Sequence, residues 1–214
     1  MQEAVFTENI MAEKSFYLFI KRYFDILISI FGIIILIPLT FIIKIIYIIN
    51  KDYNSIVYKQ NRIGKNGKII KVYKFRTMIP NAENYKFTDK QKKEFLENYK
   101  LGNDPRITKI GNFLRKSSLD ELPQFINILK GEMSLVGPRP VILEELEKYG
   151  NMKKIFLSLT PGLTGYWQVN GRSNTTYNER IKMELYYINN CSLLLDIKII
   201  LKTIVVVLKK EGAK

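Results

Sequence analysis

From Ile26 to Ile43 the chain runs for 18 residues without a charged side chain, and this stretch constrains its fold more than any other feature. At 1.5 Å per residue a helix of that length is roughly 27 Å long, close to the ~30 Å hydrocarbon core of a bilayer, so it reaches across only barely. Pro38 lies inside the run, where it removes a backbone donor and crowds the preceding turn, and a bend near Ile37-Pro38 is expected. Lys21 and Arg22 precede the run and Lys44 and Lys51 follow it, so the positive-inside tendency asks both ends to be cytoplasmic. A reentrant helix-break-helix hairpin over residues 21–50, entering and leaving on one face, meets both conditions. A single-pass anchor that tolerates its proline is the alternative, and both stay open. Glu3, Glu8 and Glu13 ahead of the run, Lys14 as the sole early base and the lack of a small-residue cleavage site argue against a signal peptide. Residues 1–20 read as a short amphipathic lead-in, and residues 51–214 as one compact domain.

Charge and composition restrict the chemistry of that domain. Lys and Arg number 34 against 20 Asp and Glu, a net charge of +14, with no histidine and one cysteine. Without His there is no imidazole acid or base and no Ser-His-Asp or Cys-His apparatus, and Cys191 alone forms no internal disulfide or thiolate cluster. Any catalysis falls to carboxylates, Lys, Arg, Tyr, hydroxyls, backbone amides or a hard cation. Residues 51–120 hold 17 Lys/Arg and 7 Asp/Glu, a surplus of +10 directly after the apolar run. Such a surplus points to nucleic acid, anionic lipid or a phosphate-rich substrate.

The expected architecture is α+β and mostly helical. Ser55-Ile-Val-Tyr-Lys-Gln60 and Lys68-Ile-Ile-Lys-Val-Tyr-Lys-Phe75 alternate like strands, and Gly64 to Gly67 supplies the turn of a small β-hairpin. Residues 81–103 are polar, as surface helix and loop would be. After the Asp104-Pro-Arg106 turn, Ile107, Ile110, Phe113 and Leu114 recur at helical spacing, and a second helix over Leu122–Lys130 ends at Gly131. Gly137-Pro-Arg-Pro140 is a rigid turn before a helix over Val141–Tyr149. Pro161 to Arg172 reads as a Gly-rich loop around Tyr166-Trp167, closing on a turn at Asn170-Gly171. Leu193–Lys210 is an apolar helix with Lys198 and Lys202 one turn apart, suited to the core or to a membrane surface.

Within this frame Asp120-Glu121 stands out as a carboxylate pair inside the most basic region. Ser118-x-x-Glu121 is also a capping-box pattern; a helix start would keep Asp120 ionised, able to attack phosphorus or to hold Mg²⁺. Arg139 is flanked by Pro138 and Pro140, which pre-set the direction of its guanidinium for a bidentate grip on phosphate. Arg115, five residues before Asp120, is a further basic candidate. Lys74 and Arg76 alternate with Tyr73 and Phe75, the pattern of an amphipathic strand and a further pair of candidate phosphate ligands. Trp167 suits either base stacking or the core.

The succession Lys21-Arg-Tyr-Phe-Asp25, the proline-broken apolar run, Gln60-Asn-Arg62-x-Gly64, Tyr73-Lys-Phe-Arg-Thr-Met78, Ser118-Leu-Asp-Glu-Leu-Pro-Gln124, Leu129 to Pro140 and Pro161-Gly-Leu-Thr-Gly-x-x-Gln-Val-Asn-Gly-Arg172 resembles the bacterial sugar transferase family. More narrowly it resembles the small monotopic phosphoglycosyl transferases. The resemblance implies transfer of a sugar 1-phosphate from a UDP-sugar to a membrane polyprenyl phosphate such as undecaprenyl phosphate, releasing UMP at the cytoplasmic face of a bacterial inner membrane. Asp120 would be the nucleophile of an aspartyl-phosphosugar intermediate, Glu121 its partner, and Mg²⁺ would sit at Asp120 and the diphosphate. Arg115, Pro138, Arg139 and Pro140 would form the phosphate and acceptor site, and Gln168, Asn170 and Arg172 would contact nucleotide or sugar. Downstream glycosyltransferases would take up the product. Ile37 replaces the serine often found before the membrane proline, leaving the break to Pro38. Larger members carry further transmembrane helices ahead of this unit, and none is expected here. A membrane-tethered nucleic-acid binder with helices either side of Lys116-Ser-Ser118, or a scaffold on anionic lipid, would use the same charge, but a DNA reader has little use for Asp-Glu at the start of its second helix.

Overall fold

The computed structural model describes residues 14–98, 101–171 and 175–209, and Arg172 and most of the lead-in lie outside them. Helix α1 (Ser15–Ile49) is followed by strands β1 (Val57–Ile63) and β2 (Ile69–Phe75), then by α2 (Asp89–Asn98), α3 (Lys109–Lys116) and α4 (Gln124–Lys130). Strand β3 (Ser134–Val136), α5 (Leu143–Leu146), α6 (Lys153–Phe156) and β4 (Gly162–Thr164) lead to α7 (Tyr166–Asn170), α8 (Tyr177–Asn190) and α9 (Leu193–Leu208). The class is the mostly helical one expected, with a two-stranded hairpin.

The helix does not stop at Pro38: α1 is assigned without interruption over 35 residues. Packing accounts for this. Asp25, Ser29, Gly32, Leu36, Ile43 and Tyr47 are buried in steps of three, four and seven, one stripe that continues on the same face after the proline as before it. Pro38 is on the exposed side, beside Ile34 and Ile37, so the carbonyl it leaves unbonded is remote from the packed face. Gly32 admits the ring of Phe125 from α4, since a Cβ there would stand 2.6 Å from it. Further along, Leu36, Ile43 and Tyr47 join Phe75 and Leu114 in one apolar cluster. The outward face exposes Phe24, Ile28, Phe31, Ile35, Phe41 and Ile45.

Polar bonds fasten α1 along its length. Arg22 donates to the carbonyls of Ile128 and Leu129 at 2.5 and 2.8 Å, caps the last turn of α4, and meets Gly131 at φ 80° there. Asp25 Oδ1 accepts from the Leu135 N–H of β3 at 2.9 Å, and Lys21 pairs with Asp196 of α9 at 2.6 Å. At the other end the Tyr47 hydroxyl donates to the carbonyl of Arg76, whose guanidinium pairs with Asp52 at 2.7 Å.

β1 and β2 pair antiparallel from Val57↔Phe75 to Ile63↔Ile69, and the turn carries Asn66 and Gly67 at positive φ. The Ile63 N–H also bonds the Val141 carbonyl at 2.8 Å, tying the hairpin to the Pro-Arg-Pro turn. Several expected elements differ. Val141 belongs to this bridge rather than to a helix, and the helix expected over Val141–Tyr149 shortens to α5 plus a 3₁₀ stretch over Glu147–Met152. The Gly-rich loop is instead β4, parallel to β3, followed by α7, so Asn170-Gly171 ends a helix rather than a hairpin. Gly162 allows this, because a Cβ on it would lie 2.1 Å from the nitrogen of Gly137. Helix α8 has no counterpart among the expectations.

Candidate active site

Asp120 and Glu121 occupy a 3₁₀ turn, Leu119–Glu121, between α3 and α4. The capping box expected at Ser118 does not form: Ser118 is left-handed at φ 57° and its side chain caps nothing. The helix start therefore does not set the charge of Asp120. Burial, reinforced by the neighbouring Glu121, pushes its pKa up to about 6 against the pull of Lys74 and Arg115. At pH 7 roughly nine-tenths of such a group is ionised, so a carboxylate stripped of much of its hydration stays available as a nucleophile.

Lys74, the penultimate residue of β2, places Nζ 2.7 Å from Glu121 Oε1. Arg115, from the last turn of α3, donates from Nε to Thr77 Oγ1 at 2.9 Å; burial lowers its pKa while Asp120 acts in the opposite sense. From the other side, the Arg139 N–H donates to Glu184 Oε1 at 3.1 Å, and its guanidinium stands 5.8 Å from the centre of Trp167. Trp167 is a core residue: it is buried, donates to Thr175 Oγ1 at 2.9 Å, and stacks at 4.5 Å under the guanidinium of Arg180.

One cleft gathers these parts. Arg62, Lys74, Glu121, Gln124, Arg139 and Gln168 line it, with Val72, Pro140, Gly162 and Leu163 as its apolar wall. Five residues singled out from sequence, Lys74, Glu121, Arg139, Pro140 and Gln168, meet there, with Asp120 and Arg115 electrostatically coupled to its Lys74–Glu121 edge. Pro138 supports it from behind, its carbonyl accepting from the Gly162 N–H at 2.8 Å. Two candidates are engaged elsewhere. Arg76 donates to Asp52 and to the carbonyls of Ser55 and Met78 while stacked on Tyr47, a structural clamp on the end of α1. Asn170 bonds the Tyr166 carbonyl and accepts from Lys202 of α9. The sequence reading passed over Arg62 and Gln124 in the lining, and over Glu145, Arg180 and Glu184 behind it. Thr176-x-x-Glu179, a formed capping box ahead of Arg180 and Glu184 at i, i+4, was the available signal.

A model of the bacterial sugar transferase family matches residues 16–210. The chain belongs to the bacterial sugar transferase family. It is 43% identical over 217 residues to the undecaprenyl-phosphate galactose phosphotransferase of Salmonella typhimurium, covering 96% of this chain and 44% of the relative. It is 46% identical over 199 residues to an uncharacterized sugar transferase of Haemophilus influenzae, covering 91% and 42%. The exopolysaccharide production protein ExoY of Sinorhizobium fredii is 44% identical over 198 residues, 90% of this chain and 87% of that one. The chain thus spans less than half of the longer sugar transferases it matches and most of the shorter one. The transferase match takes in α1, the hairpin, the Asp-Glu turn and α8 alike, so the cleft and the apolar helix form one family unit.

Proposed function

We propose that this chain transfers a sugar 1-phosphate from a UDP-sugar to a membrane polyprenyl phosphate, giving a polyprenyl diphosphosugar and UMP, an early step in building a surface polysaccharide or related glycan. The observation that carries the reading is the raised, half-buried carboxylate of Asp120 at the edge of a cleft lined by Arg62, Lys74 and Arg139, in a family whose named relatives include an undecaprenyl-phosphate galactose phosphotransferase.

The chemistry is a double displacement. A carboxylate oxygen of Asp120 forms a bond to the β-phosphorus of the UDP-sugar; the bond from that phosphorus to the bridging oxygen breaks, and its electron pair leaves on UMP. The lipid phosphate then attacks the aspartyl-phosphosugar and returns Asp120 as a carboxylate. Neither nucleophile needs deprotonation by an imidazole, since a phosphate monoester with a second pKa near ~6 is largely dianionic at pH 7. Arg139 and Lys74 offset the charge that develops on the phosphates, and Glu121 holds Lys74 in place.

Mg²⁺ fits the donor set in a limited way. Among the described residues no three carboxylates, Cys or His gather to hold a metal, but Asp120 and Glu121 together match the one or two protein oxygens that Mg²⁺ takes when substrate phosphates complete its shell. When bound, the ion supplies positive charge at the diphosphate.

In the membrane we infer that α1 lies obliquely from one face, with both ends on that face, rather than turning back at Pro38. Both ends of α1 bond to the same domain, Lys21 to α9 and Tyr47 to the hairpin, and the same face packs on that domain before and after Pro38. A helix of about 52 Å so fastened would have to draw α3 and α4 into the bilayer in order to cross it, whereas an oblique dip from the cytoplasmic face buries only its outward Phe and Ile residues. Cysteines placed before Lys21 and after Lys51 should be labelled from the same side; opposite-side labelling establishes a through-span instead.

A screen for UMP release over a panel of UDP-sugars, with polyprenyl phosphate and Mg²⁺, tests the activity. Release with at least one sugar, dependent on the lipid and rising with pH through about 6, is expected. No release with any sugar sinks the proposal.

A further inference from the structure

Arg62 comes to the cleft from the last turn-ward residues of β1, next to Ile63, whose N–H bonds Val141 just two residues beyond Arg139. The two arginines are thereby held in fixed relation by a backbone bridge. The Arg62 guanidinium donates from Nε and one terminal nitrogen to Gln60 Oε1 at 3.2 and 2.8 Å, and from the other terminal nitrogen to Glu145 Oε1 at 3.3 Å. Of its five N–H groups, two remain for a ligand among the described residues. The second oxygen of Glu145 accepts from Arg180 at 3.1 Å, so one buried carboxylate serves two guanidiniums.

Arg62 and Arg180 thus share Glu145, while Glu184, held by the Arg139 backbone N–H, lies within electrostatic reach of the Arg180 and Arg139 guanidiniums, so three guanidiniums face two carboxyls. Burial, followed by the charge of Arg139, presses the Arg62 pKa down to about 10, although Glu145 works in the opposite direction. A nest with more positive than negative charge, partly dehydrated, favours an anion at its open side. That side is the cleft, which both Arg62 and Arg139 line and Arg180 does not.

We propose that Arg62 and Arg139 form a two-guanidinium clamp for the phosphate that departs with the nucleotide, with Glu145 and Arg180 as the positioning pair that aims Arg62. The clamp rests on the transferase reading and deepens it, since it assigns the leaving group a place. It puts the nucleoside monophosphate on the β1 and Pro-Arg-Pro side of the cleft, across from the Lys74–Glu121 edge at which Asp120 attacks. The conjugate oxygen freed from the β-phosphorus then gains its charge against two fixed forks of donors.

The test is titration of UMP, with uridine as the phosphate-free control, into the purified full chain in nanodiscs, alongside Arg62→Gln, Arg62→Lys and Glu145→Gln. Arg62→Gln should weaken UMP binding about tenfold or more and leave uridine binding as it was, with Arg62→Lys intermediate because an ammonium lacks the fork. Glu145→Gln, which leaves Arg62 in the chain, should raise the KM for UDP-sugar about three- to fivefold with kcat less affected, as expected of a residue acting through another. Folded Arg62→Gln and Arg62→Lys proteins that bind UMP like the parent overturn the clamp while leaving the transferase reading intact, provided the parent releases UMP. If the glutamine variant does not fold, the lysine variant decides by the same measure. A parent chain that neither binds nor releases UMP overturns both.

Discussion

The two halves of α8 enter ionic nests of opposite kind. Toward its C-terminal end the Tyr187 hydroxyl bonds Asp196 Oδ1 at 2.7 Å, while Asp196 Oδ2 takes Tyr17 at 2.9 Å and Lys21 at 2.6 Å, so both oxygens are used and the lysine is neutralised. From its first turns to its middle, Arg180 and Glu184 are buried, and among the described residues Glu184 Oε2 and Nε and one terminal nitrogen of Arg180 have no hydrogen-bond partner. The first nest fastens the apolar helix to the domain. The second lies behind the cleft and carries surplus positive charge, the condition that favours an anionic ligand. A closed network stabilises, and an incomplete one holds charge in readiness at a cost to the fold.

The largest effect sets the cleft that the second nest backs against the fastening nest, and it concerns Asp120 at the cleft's far edge. Asp120→Asn should lower UMP release by at least about 10³-fold, the loss typical of removing a nucleophile. The same change should raise stability at pH 8. The folded-state pKa of Asp120 lies above its unfolded value, so its contribution is favourable in acid and is lost as pH rises through about 6. The asparagine escapes that loss, about 3 kcal/mol, visible as a higher melting temperature at pH 8 and not at pH 4. In the closed nest the outcome reverses: Asp196→Asn leaves Lys21, 12% exposed, without its counter-charge and should cost about 3 kcal/mol by thermal melting at any pH between 5 and 8.

Glu184→Gln is the next step down. Gln keeps an acceptor for the Arg139 N–H and removes a carboxyl whose pKa burial pushes up to about 7. Its stability contribution is present in acid and lost as pH rises through 7, so the variant should match the parent near pH 4 and exceed it by about 3 kcal/mol near pH 9. Equal pH dependence in both proteins would show that Glu184 titrates alike in the folded and the unfolded chain, with no rise from burial.

The sequence made these regions visible to different degrees, and the reasons are physical. The apolar run, the hairpin turn at Gly64 to Gly67 and the helix end at Gly131 were legible because absence of charge and positive φ are local properties. The unbroken passage through Pro38 was not, since it depends on a packed stripe supplied by Phe75, Leu114 and Phe125 from distant parts of the chain. β3 and β4 are three residues each, too short for alternation to register, and each exists only because the other pairs with it. Asp120-Glu121 and Arg139 stand out through their neighbours in sequence, whereas Arg62 figures only in the motif Gln60-Asn-Arg62-x-Gly64 and gains a role once Glu145 and Arg180 come beside it. Arg76 had the same alternation as Lys74 and ended in a structural clamp, because the fate of a strand residue is set by which element crosses it.

The smallest effect gives the sharpest comparison, because the two nests begin alike. Arg180 stands four residues after the capping Thr176 of α8, and Asp196 four residues after the capping Ser192 of α9; each cap accepts from a backbone N–H of the first turn, Glu179 and Leu195 respectively. Thr176→Ala and Ser192→Ala should each cost about 1 kcal/mol of stability. Loss of either cap loosens a first turn, and so loosens the ionic residue at its end. For Ser192 that residue is Asp196, tied to Tyr187, Tyr17 and Lys21, which hold it without the cap. For Thr176 it is Arg180, whose ion-pair partner Glu145 is shared with Arg62, so the slack passes to the cleft. Thr176→Ala should therefore raise the KM for UDP-sugar about twofold to threefold at a temperature where both variants are folded, and Ser192→Ala should leave it unchanged. Equal KM values in the two variants would mean that α8 aims nothing, and that the incomplete nest is a tolerated imperfection of packing rather than a support for the cleft.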